Sequence, residues 1–521
     1  MKKLQILLLS LLPALALLGA AQSSPTPPAA PAPTQETTPA PPAATPQATA
    51  PSKPAQEPGT SHPSANTKLE MEPVKPEAPH RLTAQEKEDL LSSVDEVLHF
   101  ASRDTLLPIK HSVKKAVISR EEVEKYLDQK FKDDIDRIRF ERSELVLKKF
   151  GLLPRSFELH SFMIKLLAEQ VAGFYNEKSK TMNLLDWVDL DSQRPVMAHE
   201  LTHALQDQSF DLAKMSKREE EIERRGLEDL DALIKEDEES SCRTAVLEGQ
   251  AMIVLVDYVL APNGKSVEDA PKIVDLMSAS MEKSMDSPVF NSAPLLLQEE
   301  LSFPYRQGMT FIRDLLVAGG KKLAYAGVLD HMPTTTREIM EPKEYLAGRH
   351  VAPLLLPDLS FLKKDYEPYD AGAIGEFDVT ILLKVYGQES AAKRLSQEWR
   401  GGSYYAAGRK GVKPADRNSS SHVGLFYVSK WASEAAAQEF AKLYAGALSK
   451  RYNDLQHANA DPAKPGLDQY SSSDGPIFIQ QTGNVVVAVE SFDAQTAGKL
   501  IQSGLKRGQD GSQSGTSQES R

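Results

Sequence analysis

Cysteine is nearly absent from this 521-residue chain: Cys242 stands alone. That excludes any intramolecular disulfide and any multi-cysteine zinc or iron–sulfur site. A basic excess is missing too. Lys and Arg number 61 against 73 Asp and Glu, a formal net charge of −12, so the basic stripe of a nucleic-acid binder is not expected and no nucleic-acid partner is inferred. Aromatic residues make up only 7% and are missing altogether between Gln22 and His80, where sixteen of the 34 prolines fall. Such a stretch buries too little apolar surface to offset its ordering entropy and reads as a disordered spacer. The apolar run Leu4 to Leu18 falls short of the roughly 20 residues a spanning helix needs, so the mature chain is expected to have no stable membrane span.

What is present begins with Lys2 and Lys3, that apolar run, and then Gly19-Ala20-Ala21, the charged start, short greasy stretch and small-residue exit of a secretory signal. No cysteine follows it, which argues against a lipid anchor. The expected organisation is a signal peptide at 1–21, a Pro/Ala-rich spacer at 22–80, a first folded unit at 81–365, an α+β accessory unit at 366–507 and a disordered tail at 508–521. The protein is expected to work outside the cytoplasm, secreted or in the periplasm and cell envelope.

The fold class expected is α+β, predominantly helical. Thr83 to Glu86 and Ser119 to Glu122 have the capping-box pattern, each opening a helix, with a strand at Val113 to Ile118 between them. Helices follow at roughly 137–150 and 156–170. Two short runs, Val171 to Tyr175 and Thr181 to Leu185, joined by the polar turn Asn176 to Lys180, read as a hairpin. After 366 the pattern predicts a helix from Asp378 to Val385, a strand from Val423 to Val428 and an alanine-rich helix from Ala432 to Tyr444. A hairpin around Thr482-Gly483 and a helix from Thr496 to Leu505 complete it. Trp399 to Tyr405 reads as a Gly-aromatic loop.

After Pro195 a helix carries His199-Glu200-Leu201-Thr202-His203. Residues four apart share a helix face, so two imidazoles can grip one ion while the intervening Glu faces its open position. Zinc there brings a bound water towards neutral acidity, and Glu200 can take its proton. A catalytic zinc needs a third protein ligand. The extended pattern with a third histidine on the same segment is ruled out, because Gln206 and Ser209 occupy its glycine and histidine positions. The third ligand expected is Glu248, the sole charge between Ala245 and Val256, since a carboxylate in so apolar a helix is costly to bury unless it meets a cation. The small residues Ala245, Gly249 and Ala251 are expected to let this helix approach the zinc helix closely.

The run His199 to Leu212, the segment Glu248-Gly249-Gln250-Ala251 and the hairpin around Gly173-Phe174-Tyr175 resemble secreted bacterial zinc metallopeptidases of the gluzincin group, of which thermolysin is the familiar member. The block Phe303-Pro304-Tyr305-Arg306-Gln307-Gly308 is similar to one in a less-described envelope branch of that group. The resemblance implies a gluzincin-like core at 81–365, zinc bound by two His and a downstream Glu, and an edge strand beside the zinc helix that takes extended peptide by strand addition. Either hairpin strand could serve. The chain departs from the thermolysin pattern at Met252, where that group has the Asp that orients a ligand histidine. Asp207 is a candidate substitute, with pairing to a neighbouring Arg or amide as its plain alternative.

Tyr305, placed after Pro304 where a helix should kink or restart, is a candidate oxyanion donor, and His331 is its rival. The charge run Lys214 to Glu239 reads as a solvated helix with i,i+4 pairs, and Cys242 as a buried inert thiol. In the similar proteins an Asp tends to stand at the place of Gly402. The expectation is a zinc-dependent peptidase acting on peptide or protein substrates, with ligands His199, His203 and Glu248, base Glu200 and assisting Tyr305. The alternative is a zinc-stabilised, catalytically inactive envelope binding protein. Glycan hydrolysis by paired carboxylates has little support. Nothing in the sequence sets the oligomeric state.

Overall fold

The computed structural model describes residues 81–130, 134–170, 173–283, 288–413, 416–459 and 465–510. The expected signal peptide and spacer, positions 171–172 at the start of the expected hairpin, and the residues beyond 510 lie outside the described residues.

The first unit starts as its capping chemistry dictates. Helix α1 (Ala84–Thr105) opens on a complete capping box, in which Thr83 N–H donates to Glu86 Oε2 at 2.7 Å and Glu86 N–H donates to Thr83 Oγ1 at 3.3 Å. Strand β1 (Lys114–Ile118) leads through the second box, Ser119 with Glu122, into α2 (Arg120–Lys130). Helices α3 (Asp134–Lys149) and α4 (Leu159–Gln170) precede β2 (Phe174–Asn176) and β3 (Thr181–Leu185). The hairpin is real, with Tyr175 opposite Met182. The strand expected at Val113 to Ile118 is also present, but its pairing was not apparent from the sequence: β1 pairs in parallel with β3, giving the order β1-β3-β2. The 181–185 strand therefore has neighbours on both sides and cannot receive a peptide, which leaves β2 as the edge on the hairpin side.

Helix α5 (Leu190–Phe210) carries the two histidines. It begins before Pro195 rather than after it, on the cap Asp189, whose carboxylate accepts from Ser192 N–H. Gln193 fastens it to the sheet, pairing with both the N–H and the carbonyl of Leu185 at 3.0 Å each. Helix α6 (Leu212–Arg225) leads to α7 (Leu230–Leu260), which packs against α5 on one side and against α9 (Leu295–Lys322) on the other, with α8 (Lys272–Lys283) lying against α9. Helix α7 is long and apolar enough to cross a membrane, yet 78% of its apolar window is buried inside the protein, which makes it the core helix.

The second unit is a seven-stranded antiparallel sheet in the order β4-β5-β6-β10-β9-β8-β7. Its strands are β4 (Tyr366–Ala373), β5 (Trp399–Arg409), β6 (Val423–Trp431), β7 (Gln456–His457), β8 (Leu467–Ser472), β9 (Gly475–Thr482) and β10 (Val485–Glu490). Helices α10 (Glu376–Val385), α11 (Glu389–Ser396), α12 (Glu434–Arg451) and α13 (Ala494–Asp510) complete it. The fold is thus α+β with helices dominating. The Trp399 to Tyr405 segment is not a loop. It is an inner strand between β4 and β6, bulged between Trp399 and Gly402. Gly402 has no room for a larger residue, since a Cβ there would sit 2.8 Å from the Ile374 carbonyl oxygen.

The charge run is only partly solvated. Arg243 draws in Glu219 at 3.2 Å and Glu236 at 2.5 Å. Asp237 accepts from Ala373 N–H at the end of β4, and Glu238 from Thr336 N–H at 2.7 Å. Of these two buried carboxylates on α7, Asp237 fastens the helix to the second unit, while Glu238 ties it to Thr336 within the first. Helical charge periodicity alone cannot reveal that, because the amides they meet lie about a hundred residues or more away. Cys242 is buried and forms no disulfide.

Candidate metal centre

One turn of α5 separates His199 from His203, and α7 brings Glu248 against both. The two Nε2 atoms lie 3.2 Å apart. Glu248 Oε2 is 3.1 Å from His199 Nε2 and 3.6 Å from His203 Nε2. With metal–ligand bonds of about 2.1 Å, the edge of a tetrahedral zinc site is about 3.4 Å, so the three atoms stand at the spacing such a site requires. All three side chains are buried. Glu248 Oε2 faces the two imidazole nitrogens, and a carboxylate buried this deeply is expensive unless positive charge meets it there. The donor set of two imidazoles and a carboxylate suits zinc.

The electrostatics agree. Burial pushes the Glu248 carboxyl up, but the charge on His203 and the imidazole contacts overcome it and hold it down at about 2. Burial opposes the imidazolium of His203, yet Glu248 outweighs it and lifts His203 to about 9. A proton therefore does in the metal-free site part of what a cation would do.

Glu200, on the same turn, is 4% exposed, and burial raises its carboxyl above the usual range. One oxygen accepts from Tyr175 N–H in β2 at 2.8 Å. The edge strand thus meets Glu200 through a backbone amide. Tyr305 is buried beside this group. Its ring lies 6.4 Å from that of His199 in a stacked orientation, and burial together with the carboxylates of Glu248 and Glu200 keeps its phenol protonated. The kink expected at Pro304 is not there: α9 runs helically through it and departs from helical geometry only at Gly320. His331 is exposed, with Nδ1 2.8 Å from the Asp330 carbonyl, so of the two rivals only Tyr305 joins the group.

Two sequence expectations are corrected here. Asp207 does not orient a histidine. Its carboxylate accepts from Tyr175 Oη at 2.7 Å, Lys180 Nζ at 2.6 Å and Leu212 N–H at 3.1 Å, which locks the hairpin to the end of α5. The residue that meets the ligand is Gln206, whose Oε1 lies 2.8 Å from His203 Nδ1. Position 206 was read only as the place where a glycine is missing; its i+3 offset from His203, on the same helix face, was the available signal. Gly249 serves α9 rather than the zinc helix, its backbone lying directly against Gly308.

Residues 366–500 match a family described as a domain of unknown function (DUF8575). The matched stretch begins at β4 and contains the seven-stranded sheet, so none of the site residues falls within it. Comparison with curated proteins gives no match, and comparison with solved structures gives none.

Proposed function

We propose that the protein is a zinc-dependent peptidase of the gluzincin type, exported by its N-terminal signal and hydrolysing peptide bonds outside the cytoplasm. The observation that carries the reading is the convergence of His199 Nε2, His203 Nε2 and Glu248 Oε2 within 3.1–3.6 Å of one another, with a buried carboxylate of raised pKa beside them. Zinc bound there supplies an acidified water and a Lewis acid for the scissile carbonyl. Glu200 would accept the proton of that water as the general base. Tyr175 N–H fixes the orientation of its carboxylate. Tyr305, kept protonated, donates to the oxygen that gains charge as the carbonyl is attacked.

A second reading, a zinc-stabilised binding protein without turnover, is favoured by one observation. His199, Glu200, His203, Glu248 and Tyr305 are all no more than 7% exposed, so an extended peptide reaches them only if β2 and its surroundings move. The test is metal analysis of the mature chain combined with incubation on unfolded casein, with and without a chelator. Stoichiometric zinc and chelator-sensitive cleavage are expected. Zinc without cleavage would favour the binder, and no zinc at all would overturn both.

A further inference from the structure

Behind the ligand pair runs a chain of side-chain amides. Gln206 and Gln250 are fully buried. Gln206 Oε1 faces His203 Nδ1 at 2.8 Å, while its Nε2 donates to the Leu247 carbonyl at 3.1 Å and to Gln250 Oε1 at 2.8 Å. Gln250 Nε2 donates onward to the carbonyls of Ala324 at 2.8 Å and Tyr325 at 3.1 Å. Those carbonyls belong to a π-helical turn, Leu323–Gly327, that follows the break at Gly320. Such turns appear as single-turn bulges within α-helices and recur at functional sites. The orientation of both amides is dictated: Gln250 can satisfy two carbonyls only with its NH₂, which turns its oxygen to Gln206 NH₂ and leaves the Gln206 oxygen for the imidazole.

We propose that Gln206 and Gln250 are positioning residues forming a neutral relay. The relay fixes His203 with its proton on Nδ1 and its Nε2 lone pair towards the metal, and it ties metal occupancy to the order of the Leu323–Gly327 turn. The inference rests on the metal-centre reading. A neutral amide leaves the ligand imidazole less basic than a carboxylate partner would, and it adds no charge to a buried site that already holds Glu200 and Glu248.

The test uses the mature full-length chain and zinc alone. Hydrogen exchange of the amides from Leu323 to Val328 is measured with and without zinc, alongside zinc affinity by competition with a chromogenic chelator. In the wild type, zinc is expected to slow exchange in this turn. Gln206→Leu is expected to weaken zinc about 10–100-fold and to abolish the slowing. Gln206→Glu, which keeps an acceptor for His203 but loses the donor to Gln250, is expected to retain zinc while still losing the protection of the turn. If the wild type binds no zinc, the metal-centre reading falls and the relay with it. If the wild type binds zinc but affinity in Gln206→Leu stays within twofold and the turn exchanges identically with and without metal, the relay alone is overturned.

Discussion

Gly249 and Gly308 touch backbone to backbone at the crossing of α7 and α9. A Cβ on Gly249 would come within 2.9 Å of Gly308 Cα, and one on Gly308 within 2.9 Å of the Ala245 carbonyl carbon, with other backbone atoms closer still. This contact sets the spacing between the helix that supplies Glu248 and the helix that supplies Tyr305. Gly308→Ala must push rigid backbone aside, with no flexible side chain to yield. Overpacking of this kind costs about 1–3 kcal/mol, and the expected result is a loss of that size in chemical denaturation. Zinc affinity should fall as well, because Glu248 shifts with its helix. A variant as stable as the wild type, with unchanged metal binding, would show that the crossing does not control the site.

Glu200 and Tyr305 touch the proposed reaction without being ligands, so their substitution separates chemistry from metal binding. Glu200→Gln keeps an acceptor for Tyr175 N–H but cannot take a proton. Zinc content at wild-type level with casein cleavage lowered by at least about a hundredfold is the expected outcome. Tyr305→Phe removes only the phenolic donor. It is expected to lower turnover by about 10²-fold with little effect on zinc, in line with the loss of one oxyanion donor. Full activity in the Phe variant would remove Tyr305 from the reaction.

The parts of this molecule written in local chemistry were readable in advance. Both capping boxes, the hairpin, the His199–His203 helix and the lone carboxylate of Glu248 follow from spacing and composition within a few residues of themselves. What could not be read depends on distant partners. The parallel pairing of β1 with β3 joins Ala116 to Asn183, and neither segment announces the other. Strand β5 was hidden because Gly401, Gly402 and the aromatics beside them look like a loop until β4 and β6 flank the segment. Gln206 and Asp207 are adjacent, and the charged one drew attention as a second-sphere partner. The helix instead turns Asp207 towards Tyr175 and Lys180 and presents Gln206 to His203, because an amide can be satisfied inside the α5–α7 interface without a counter-ion.

Zinc binding should strengthen as pH rises. In the metal-free site Glu248 lifts His203 to about 9, so below that value an incoming ion must displace a proton from the imidazole, and acid competes with metal. Between pH 6 and 8 the apparent affinity is expected to rise about tenfold per unit, with close to one proton released per ion bound. Titration calorimetry in buffers of different ionisation enthalpy measures that release directly. A pH-independent affinity would mean that the His203 proton does not occupy the metal's place.

A separate pH dependence is built into the junction of α1, α7 and α9. Asp257 lies beside Asp104, whose Oδ1 holds Lys321 Nζ at 2.5 Å, while Val267 N–H, Glu268 and Tyr325 complete the surroundings. Burial, and then the Asp104 charge, push Asp257 up to about 7. A carboxyl raised in the folded state binds a proton that the unfolded chain has already released above roughly pH 4. Its contribution to stability is therefore complete at low pH and is lost as pH rises through about 7, when two carboxylates face a single lysine. Asp257→Asn keeps a neutral side chain at every pH. Its carbonyl can still accept from Val267 N–H and its amide can donate to Asp104. The melting temperature of the wild type is expected to fall between pH 5 and 8 more steeply than that of Asp257→Asn, with the two converging towards the acid end. Glu376, raised to about 8 chiefly by burial, adds a slope of its own that this substitution leaves in place, so the difference between the two curves is the quantity to read. Parallel curves would show that the Asp104–Asp257 pair carries no shared proton.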